Sequence, residues 1–331
     1  MRTRTFGTTD LRCSEIGFGT WALGSTWWGK VTSGEGVNLL HRALDLGITF
    51  FDTGNVYGSG RNEEIVAEAL AGVPRDTVQI STKFGYVIGG GRQEHSQGER
   101  PQDWSPAHIR ASLEASLSRL DTDYVDLYQL HNPRMDAVEH DDLFEELERL
   151  RDEGKLRHYG VALGPAIGWR DEGIAAIERR RITSVQTVYN VLEQDPGRDF
   201  LAAAEQRGVG VMARVPTSSG LLEDKYTLET TFPEGDHRNH RPREWLVEGL
   251  QKVERLRFLS EQHDMTLAQA ALKFILAQDA IACVLPTVTN ERDLVEWAAA
   301  SDAADLTGDD LSRVAELYQR NFDVEPLPQR A

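Results

Sequence analysis

Short apolar runs alternate with longer amphipathic stretches along almost the whole chain, in a regular rhythm. The runs Ile16–Gly19, Thr49–Asp52, Val78–Thr82, Val125–Gln129, His158–Ala162, Ser184–Thr187, Gly210–Ala213 and Cys283–Leu285 have the length of strands. Most are apolar at consecutive positions, the pattern of a parallel sheet covered on both faces. Helical periodicity falls between them over Gly36–Leu46, Glu63–Ala71, Pro106–Leu120, Leu143–Glu153, Gly173–Arg180 and Phe200–Gln206. Two more helices are predicted after the seventh strand, near Arg243–Gln262 and Leu267–Gln278, and others at Glu291–Ala299 and Asp309–Tyr318. Ser105-Pro106 is an N-cap followed by proline at the first helical position, and Gly47, Gly154 and Gly208 stand where helices should stop.

Eight strands, each followed by a helical segment, is the count of a closed (β/α)8 TIM barrel of the α/β class. A short hairpin, Thr3–Phe6 and Leu11–Ser14 around Gly7–Asp10, precedes it. The expectation is a single domain over residues 1–331. In such a barrel the chemistry belongs to the C-terminal ends of the strands. Two connections on that side are long and rich in Gly, Pro and polar residues: Phe84–Trp104 after the third barrel strand and Arg214–Pro242 after the seventh. Both suit the walls or lid of a pocket.

Composition narrows the classes. Hydrophobic residues make up 40% of the chain, enough for a sizeable core. The formal charge of −17 argues against a nucleic-acid partner, and any anionic ligand needs a local cluster of Arg or Lys. Cys13 and Cys283 lie in apolar surroundings and read as buried thiols in a reducing compartment. The start, Met1-Arg-Thr-Arg-Thr-Phe-Gly, has no apolar run behind its charges, so no signal peptide is expected. No stretch reaches the roughly 20 apolar residues of a membrane span. The expectation is a cytoplasmic protein with no membrane partner; no oligomeric interface is legible.

The candidate chemistry gathers at strand ends. Phe50–Gly58 begins as a short apolar strand, breaks at Asp52 and carries Tyr57 in the Gly-rich loop that follows. Lys83 closes the third barrel strand and His131 the fourth. Each has an ordinary structural reading: Asp52 capping a turn, Tyr57 packed under its loop, Lys83 a solvated strand end, His131 satisfied within the turn at Asn132-Pro133. Together on one face of a barrel they form a proton-transfer set. A free tyrosine titrates near pH 10, too high for a good acid at neutrality. An ammonium beside a phenol stabilises the phenolate, and a carboxylate beyond the ammonium holds it in place. A neutral imidazole donates a hydrogen bond that orients a carbonyl oxygen. No nucleophile and no clustered metal ligands accompany them, so the set suits polarising a carbonyl while another group delivers a hydride.

Over nearly its whole length the chain resembles the aldo-keto reductases, bacterial type. The segments that carry the resemblance are Gly17-Phe-Gly-Thr-Trp, Phe51-Asp-Thr-Gly-Asn-Val-Tyr-Gly, Ser81-Thr-Lys and the run from Leu113 to His131. The resemblance implies a catalytic tetrad on Asp52, Tyr57, Lys83 and His131. It also implies a nicotinamide cofactor extended across the barrel mouth without a Rossmann glycine loop. On the cofactor side it points to Gly19, Thr20, Trp21, Asp52, Gln186, Arg214, Pro216, Gly220 and Lys225. Where the family usually has Ser-Asn after the fifth strand, this chain has Ala162-Leu163, and Arg214 stands where an aromatic often stacks on the nicotinamide. A guanidinium plane can also stack there. The segment Asp236-His-Arg-Asn-His is expected to be a mobile solvated loop, with closure over the pyrophosphate side as the alternative. Arg119 is expected on a helix face remote from the mouth.

After the eighth strand, Thr287, Thr289, Arg292 and Glu296 fall where the resemblance places the adenosine end. Trp297 departs from the usual Asn, and Glu291 and Asp293 would repel a phosphate they faced. The expected cofactor is NADP(H), with NAD(H) close behind. Trp21, Trp27 and Trp28, in a Gly-rich loop at the mouth, read as substrate-pocket walls beside Tyr57 and His131. They suit small-molecule carbonyls, alcohols or sugars alike. The expected activity is reduction of an aldehyde or ketone, or oxidation of the matching alcohol. A cofactor-binding regulatory or sensor protein with little turnover, and a metal-dependent hydrolase or isomerase using Asp52 and His131 as ligands, are the other readings.

Overall fold

A computed structural model describes residues 1–23, 28, 31–89, 100–164 and 169–327. The chain opens with β1 (Thr3–Thr5) and β2 (Arg12–Ser14), an antiparallel pair in the register Thr3 to Ser14. The repeating unit follows: β3 (Phe18–Gly19), α1 (Ser33–Asp45), β4 (Phe50–Asp52), α2 (Arg61–Leu70), β5 (Gln79–Phe84), α3 (Pro106–Leu120) and β6 (Val125–His131). A single helical turn, α4 (Met135–Val138), then precedes α5 (Asp141–Asp152), β7 (Leu156–Ala162), α6 (Arg170–Arg179), β8 (Ser184–Val188), α7 (Gly197–Arg207) and β9 (Gly210–Arg214). The last part holds α8 (Arg243–Arg255), α9 (Phe258–Glu261), α10 (Leu267–Leu276), β10 (Ile281–Leu285), α11 (Glu291–Ala299) and α12 (Gly308–Gln319).

β3 to β10 form one eight-stranded parallel sheet in chain order. Parallel bridges from Ile16 to Val284 and from Gly19 to Thr287 bring its two edges together, so the (β/α)8 barrel is closed. The hairpin plugs its N-terminal end. There Phe6, Leu11 and Cys13 pack against Phe50, Leu127, Met212 and Cys283, with the Phe6 and Phe50 rings 5.6 Å apart. Both cysteines are buried and free.

Strand alternation divides each strand between the outer core and the barrel lumen. On β5, Ile80 and Phe84 join the helix-facing core, while Ser81 and Lys83 point inward. On β6, Tyr128 and Leu130 face the helices, and Leu127 and Gln129 the lumen. The lumen is apolar at the hairpin end and becomes polar toward the C-terminal mouth, through Asp52, Ser81, Gln129 and Gln186.

Local signals explain most element ends. Ser105 Oγ accepts from His108 N with Pro106 at the first helical position, and Gly47, Gly154 and Gly208 take left-handed backbone as their helices end. α1 starts at Ser33 rather than Gly36, because Thr32 and Glu35 form a reciprocal capping box. The predicted helix over Arg243–Gln262 is two helices, broken at Leu256–Arg257, where buried Leu256 and Leu259 turn the chain into the core. β5 and β6 run past their apolar stretches to include Lys83 and His131, since ladder hydrogen bonds, not side-chain polarity, set their ends.

β7 and β8 approach closely at Gly160, where an added Cβ would lie 2.1 Å from Ser184 Oγ and 2.6 Å from its carbonyl oxygen. Gly160→Ala is therefore expected to destabilise the barrel by about 1–3 kcal/mol, read as a lower urea midpoint at unchanged m-value. An unchanged midpoint would mean that these strands separate without strain.

Candidate active site

β4 ends at Asp52, whose side chain projects into the lumen 4% exposed. Its Oδ2 takes the Lys83 ammonium at 2.6 Å. Lys83 is itself 1% exposed and also donates to the Thr53 carbonyl at 2.6 Å. Asp52 Oδ1 accepts from Ser81 Oγ at 3.0 Å, Gln129 Nε2 at 3.0 Å and Gln186 Nε2 at 3.2 Å. Two opposite charges buried together are tolerable only with their remaining hydrogen-bonding capacity met, and here it is met. Burial works against the Lys83 ammonium, but Asp52 and then Tyr57 outweigh it and raise its pKa above the ordinary lysine value. Lys83 is a fixed positive charge.

Tyr57 returns over this pair. Its N–H donates to the Gly54 carbonyl, and its ring lies so close to Gly54 that a Cβ there would sit 3.3 Å from it. Lys83 Nζ stands 4.9 Å from the ring centroid. His131 meets the same ring edge-on, with centroids 5.8 Å apart, and Tyr86 closes its other side at 4.9 Å. Asn132 Nδ2 donates to the Tyr86 hydroxyl, and Gln102 Nε2 donates to the carbonyls of His131 and Asn132, so the two ends of the long third loop support the imidazole. Burial, then Lys83, Arg214 and Arg100, pushes the His131 pKa well below its ordinary value. It is a neutral imidazole, with its Nδ1 buried and unpartnered by protein.

Asp52, Tyr57, Lys83 and His131 thus lie together at the C-terminal mouth. The other expected site residues are more dispersed. Gln186 is bonded to Asp52 and, at 3.5 Å, to Gln129. Arg214 reaches across the mouth from β9 and donates to the Leu163 carbonyl at 2.8 Å. Pro216 and Gly220 are buried in the turn that follows, with Gly220 left-handed at φ 95°. Lys225 pairs with Asp293 at 2.5 Å and Glu223 at 2.9 Å. Gly19 ends β3, Thr20 opens the turn that follows, and Trp21 packs on Trp28 at 5.8 Å. Trp27 lies outside the described residues. Thr287 and Thr289 precede α11 and Glu296 lies within it, all three half-buried, and Trp297 belongs to the core. Asp293 is turned back onto Asn290 and Lys225 and Glu291 onto Arg42, leaving Arg292 exposed at the helix start without a described acidic partner.

Two expectations fail. The segment from Asp236 is more anchored than a solvated loop, though Asn239 and His240 stay exposed: His237–His240 forms a 3-10 turn, Asp236 caps it, and Arg238 grips Asp236 and Tyr226 while lying 4.3 Å over Trp28. His237 meets Trp21 edge-on at 5.6 Å, so this strap crosses to the first loop. Clustered Arg and aromatic packing anchor it, which short-range composition does not reveal. Arg119 is no remote surface residue either, for it makes a 2.6 Å pair with fully buried Glu63. Ser81, Gln129 and Tyr86 also belong to the site without having been expected there. The first two were findable, since they stand two residues before Lys83 and His131 and so share their face.

The mouth can take an extended anionic cofactor. Thr20 Oγ1 and Arg241 Nε are buried without a protein partner, and Arg241 sits beside Ser219 Oγ at 3.3 Å with no described carboxylate. A guanidinium with no described carboxylate partner, in a chain of charge −17, is a candidate site for an anion. Among the described residues, no group of three or more His, Cys, Asp or Glu is placed to hold a metal, and no helix is long and apolar enough to cross a membrane.

A closed barrel with buried Asp and Lys beneath a Tyr and a neutral His defines a class of carbonyl-group oxidoreductase. The model of the aldo/keto reductase family matches residues 15–319, and the chain belongs to that family. It is similar to the uncharacterized oxidoreductase YqkF of Bacillus subtilis, at 29% identity over 94% of each chain. It is similar also to probable aldo-keto reductase 1 of Glycine max, at 31% identity over 94% of this chain and 87% of that protein. Of solved structures, the glycerol dehydrogenase AKR11B4 of Gluconobacter oxydans matches with a TM-score of 0.82 at 28% identity, covering 99% of this chain and 98% of the other. The holo form of AKR11C1 of Bacillus halodurans matches at 0.78 and 28%, over 96% of each chain.

The neutral His131 has a pH consequence. Unfolded, the imidazole takes a proton below about pH 6.5, whereas the folded one resists it to lower pH. The unfolded state then binds more protons in that window, so stability falls as the pH drops through it. Ring-nitrogen NMR is expected to show neutral His131 at pH 6, and His131→Asn to flatten the decline in thermal stability between pH 6.5 and 5. A protonated His131 at pH 6 would contradict the assignment.

Proposed function

We propose that this chain is an NADP(H)-linked oxidoreductase that reduces an aldehyde or ketone, or oxidises the corresponding alcohol or sugar, with Tyr57 as general acid and base. The observation that carries the reading is the stack of Asp52, Lys83 and Tyr57, in which a fixed ammonium 4.9 Å from the phenol ring faces the mouth. When bound, the reduced nicotinamide supplies a hydride equivalent to the carbonyl carbon. The chain's own groups do the rest. The substrate oxygen lies between the Tyr57 hydroxyl, which gives it a proton, and neutral His131, which orients it by a hydrogen bond. Lys83 stabilises the phenolate left behind, and Asp52 holds Lys83 in place. In the alcohol direction the same groups run in reverse.

On the cofactor side, Gln186 and Arg214 are assigned to the nicotinamide end, with Gly19, Thr20 and Trp21 beside it. The turn from Pro216 to Gly220 serves the pyrophosphate, with Lys225 at its margin. Thr287, Thr289, Arg292 and Glu296 serve the adenosine end. Trp21 and Trp28 line the substrate side with Tyr57 and His131. A cytoplasmic location fits a cofactor held reduced by metabolism.

Tyr57→Phe is expected to lower turnover by on the order of 10²–10⁴, the usual worth of general acid catalysis, while leaving cofactor binding nearly intact. Lys83→Met is expected to be similarly damaging, because the charge that favours the phenolate is gone. Steady-state rates with a panel of carbonyls, beside a fluorescence titration of cofactor, decide this; a Tyr57→Phe enzyme with most of its activity removes the proposed acid.

Cofactor contacts are tested by binding. Arg214→Ala is expected to weaken NADPH binding by ~10-fold or more, the scale of a lost hydrogen bond to a charged group, with exposed Arg149→Ala as the neutral control. Arg292→Ala is expected to raise the Michaelis constant for NADPH and barely touch that for NADH. Equal effects on the two cofactors, or a wild-type preference for NADH, would reject Arg292 as the phosphate ligand.

A further inference from the structure

Directly after Tyr57 the chain takes three left-handed residues in succession, Gly58 (φ 56°), Ser59 (φ 54°) and Gly60 (φ 97°), before entering α2. Such a turn has no ladder to hold it and persists only where its surroundings over-determine it. Those surroundings are buried and charged. Glu63, at the third position of α2, is fully buried. Its Oε1 accepts from Thr82 Oγ1 at 2.6 Å, and its Oε2 accepts from Arg119 Nε at 2.6 Å. Thr82 is the residue before Lys83 on β5, its side chain turned outward where that of Lys83 turns inward. Arg119 packs so closely under the turn that a Cβ at Gly60 would lie 2.7 Å from its Cδ, and its Nη2 bonds Ser116 Oγ. Asn62, also fully buried, donates to the Thr20 carbonyl at 2.5 Å.

We propose that Glu63, Thr82 and Arg119 form a positioning tether that sets the Tyr57 turn against Lys83. The inference rests on the proposed role of Tyr57 as the acid. One carboxylate joins the helix that follows Tyr57 to the strand that carries Lys83, so the spacing of phenol and ammonium is fixed from both sides of β5. On the inner side it is fixed by Asp52 and the register of Asp52 with Ser81. On the outer side it is fixed by the Thr82 hydroxyl. Arg119 neutralises Glu63 and fills the space beneath Gly60, so the tether is charged and satisfied, with Glu63 and Thr82 fully buried. Such a link is stiffer than apolar packing, because charge-assisted hydrogen bonds fix direction as well as distance.

Thr82 isolates the tether from the ion pair. Thr82→Val keeps the β-branch and the Glu63–Arg119 pair and removes only the hydroxyl, and Thr82→Ser keeps the hydroxyl and loses the methyl. Thr82→Val is expected to lower kcat about tenfold, within the loss that a misplacement of up to 1 Å produces, with the cofactor dissociation constant unchanged. In the cofactor-free protein, amide exchange at Tyr57 and Ser59 is expected to quicken in Thr82→Val. Thr82→Ser is expected to stay near wild type in both measurements. Should Thr82→Val fail to fold, Thr82→Ala removes the hydroxyl without shape conflict and is expected to behave the same way. Wild-type kcat and exchange without the hydroxyl, or a larger loss in Ser than in Val, would overturn the tether. Tyr57→Phe measured in parallel keeps the two ideas apart: if it is inactive while the Thr82 variants are normal, the acid stands and the tether falls; if it is active, both fall.

Discussion

The ion pair between Lys83 and Asp52, sealed inside the barrel at 2.6 Å, is the constraint on which the rest of the site depends. Burying two charges costs several kcal/mol per ion, and their attraction offsets that only when every remaining donor and acceptor is satisfied. The inward positions around the pair are therefore polar: Ser81, Gln129 and Gln186 converge on one carboxylate oxygen, and the Thr53 carbonyl takes a second bond from the ammonium. Replacing such a buried pair by apolar residues of similar volume is often neutral or stabilising, so stability alone does not account for it. The polar layer fits the proposed chemistry at the mouth, in which a fixed ammonium beneath the Tyr57 phenol favours its phenolate.

Around this centre, charge is arranged against the average of the molecule. The chain carries −17 overall, yet Arg100, Arg214 and Lys83 all act on His131, and His237 is driven down to about pKa 4 by burial, with His240 and Arg241 adding to the effect. Histidines kept neutral by burial and by neighbouring cations leave the positive charge on guanidinium groups, which do not titrate in this range. A mouth of that kind favours an anion without depending on pH near neutrality, as a dinucleotide bearing phosphates requires.

Much of this was legible in the sequence, and for physical reasons. Apolar runs of strand length alternating with helical periodicity leave few alternatives to a barrel, and Asp52, Lys83 and His131 stood out as titratable groups where such runs end. What escaped was whatever depends on partners distant in sequence. Glu63 and Arg119 look like surface residues of amphipathic helices, because nothing local says that their two helices meet over the Tyr57 turn. The strap at Asp236–His240 is polar throughout and reads as solvated, yet Arg238 bonds Asp236 and Tyr226 and covers Trp28. The break between α8 and α9 is likewise set by burial of Leu256 and Leu259, not by a glycine or proline.

The most direct measurement is a single-turnover mixing experiment. Enzyme saturated with NADPH is mixed with each member of a panel of aldehydes, ketones and sugars, and the loss of reduced-nicotinamide absorbance is followed beside product analysis. At least one carbonyl is expected to consume the bound cofactor stoichiometrically and yield the matching alcohol. Tight cofactor binding with no oxidation by any carbonyl, and no reduction of NADP by any alcohol of the panel, would contradict it.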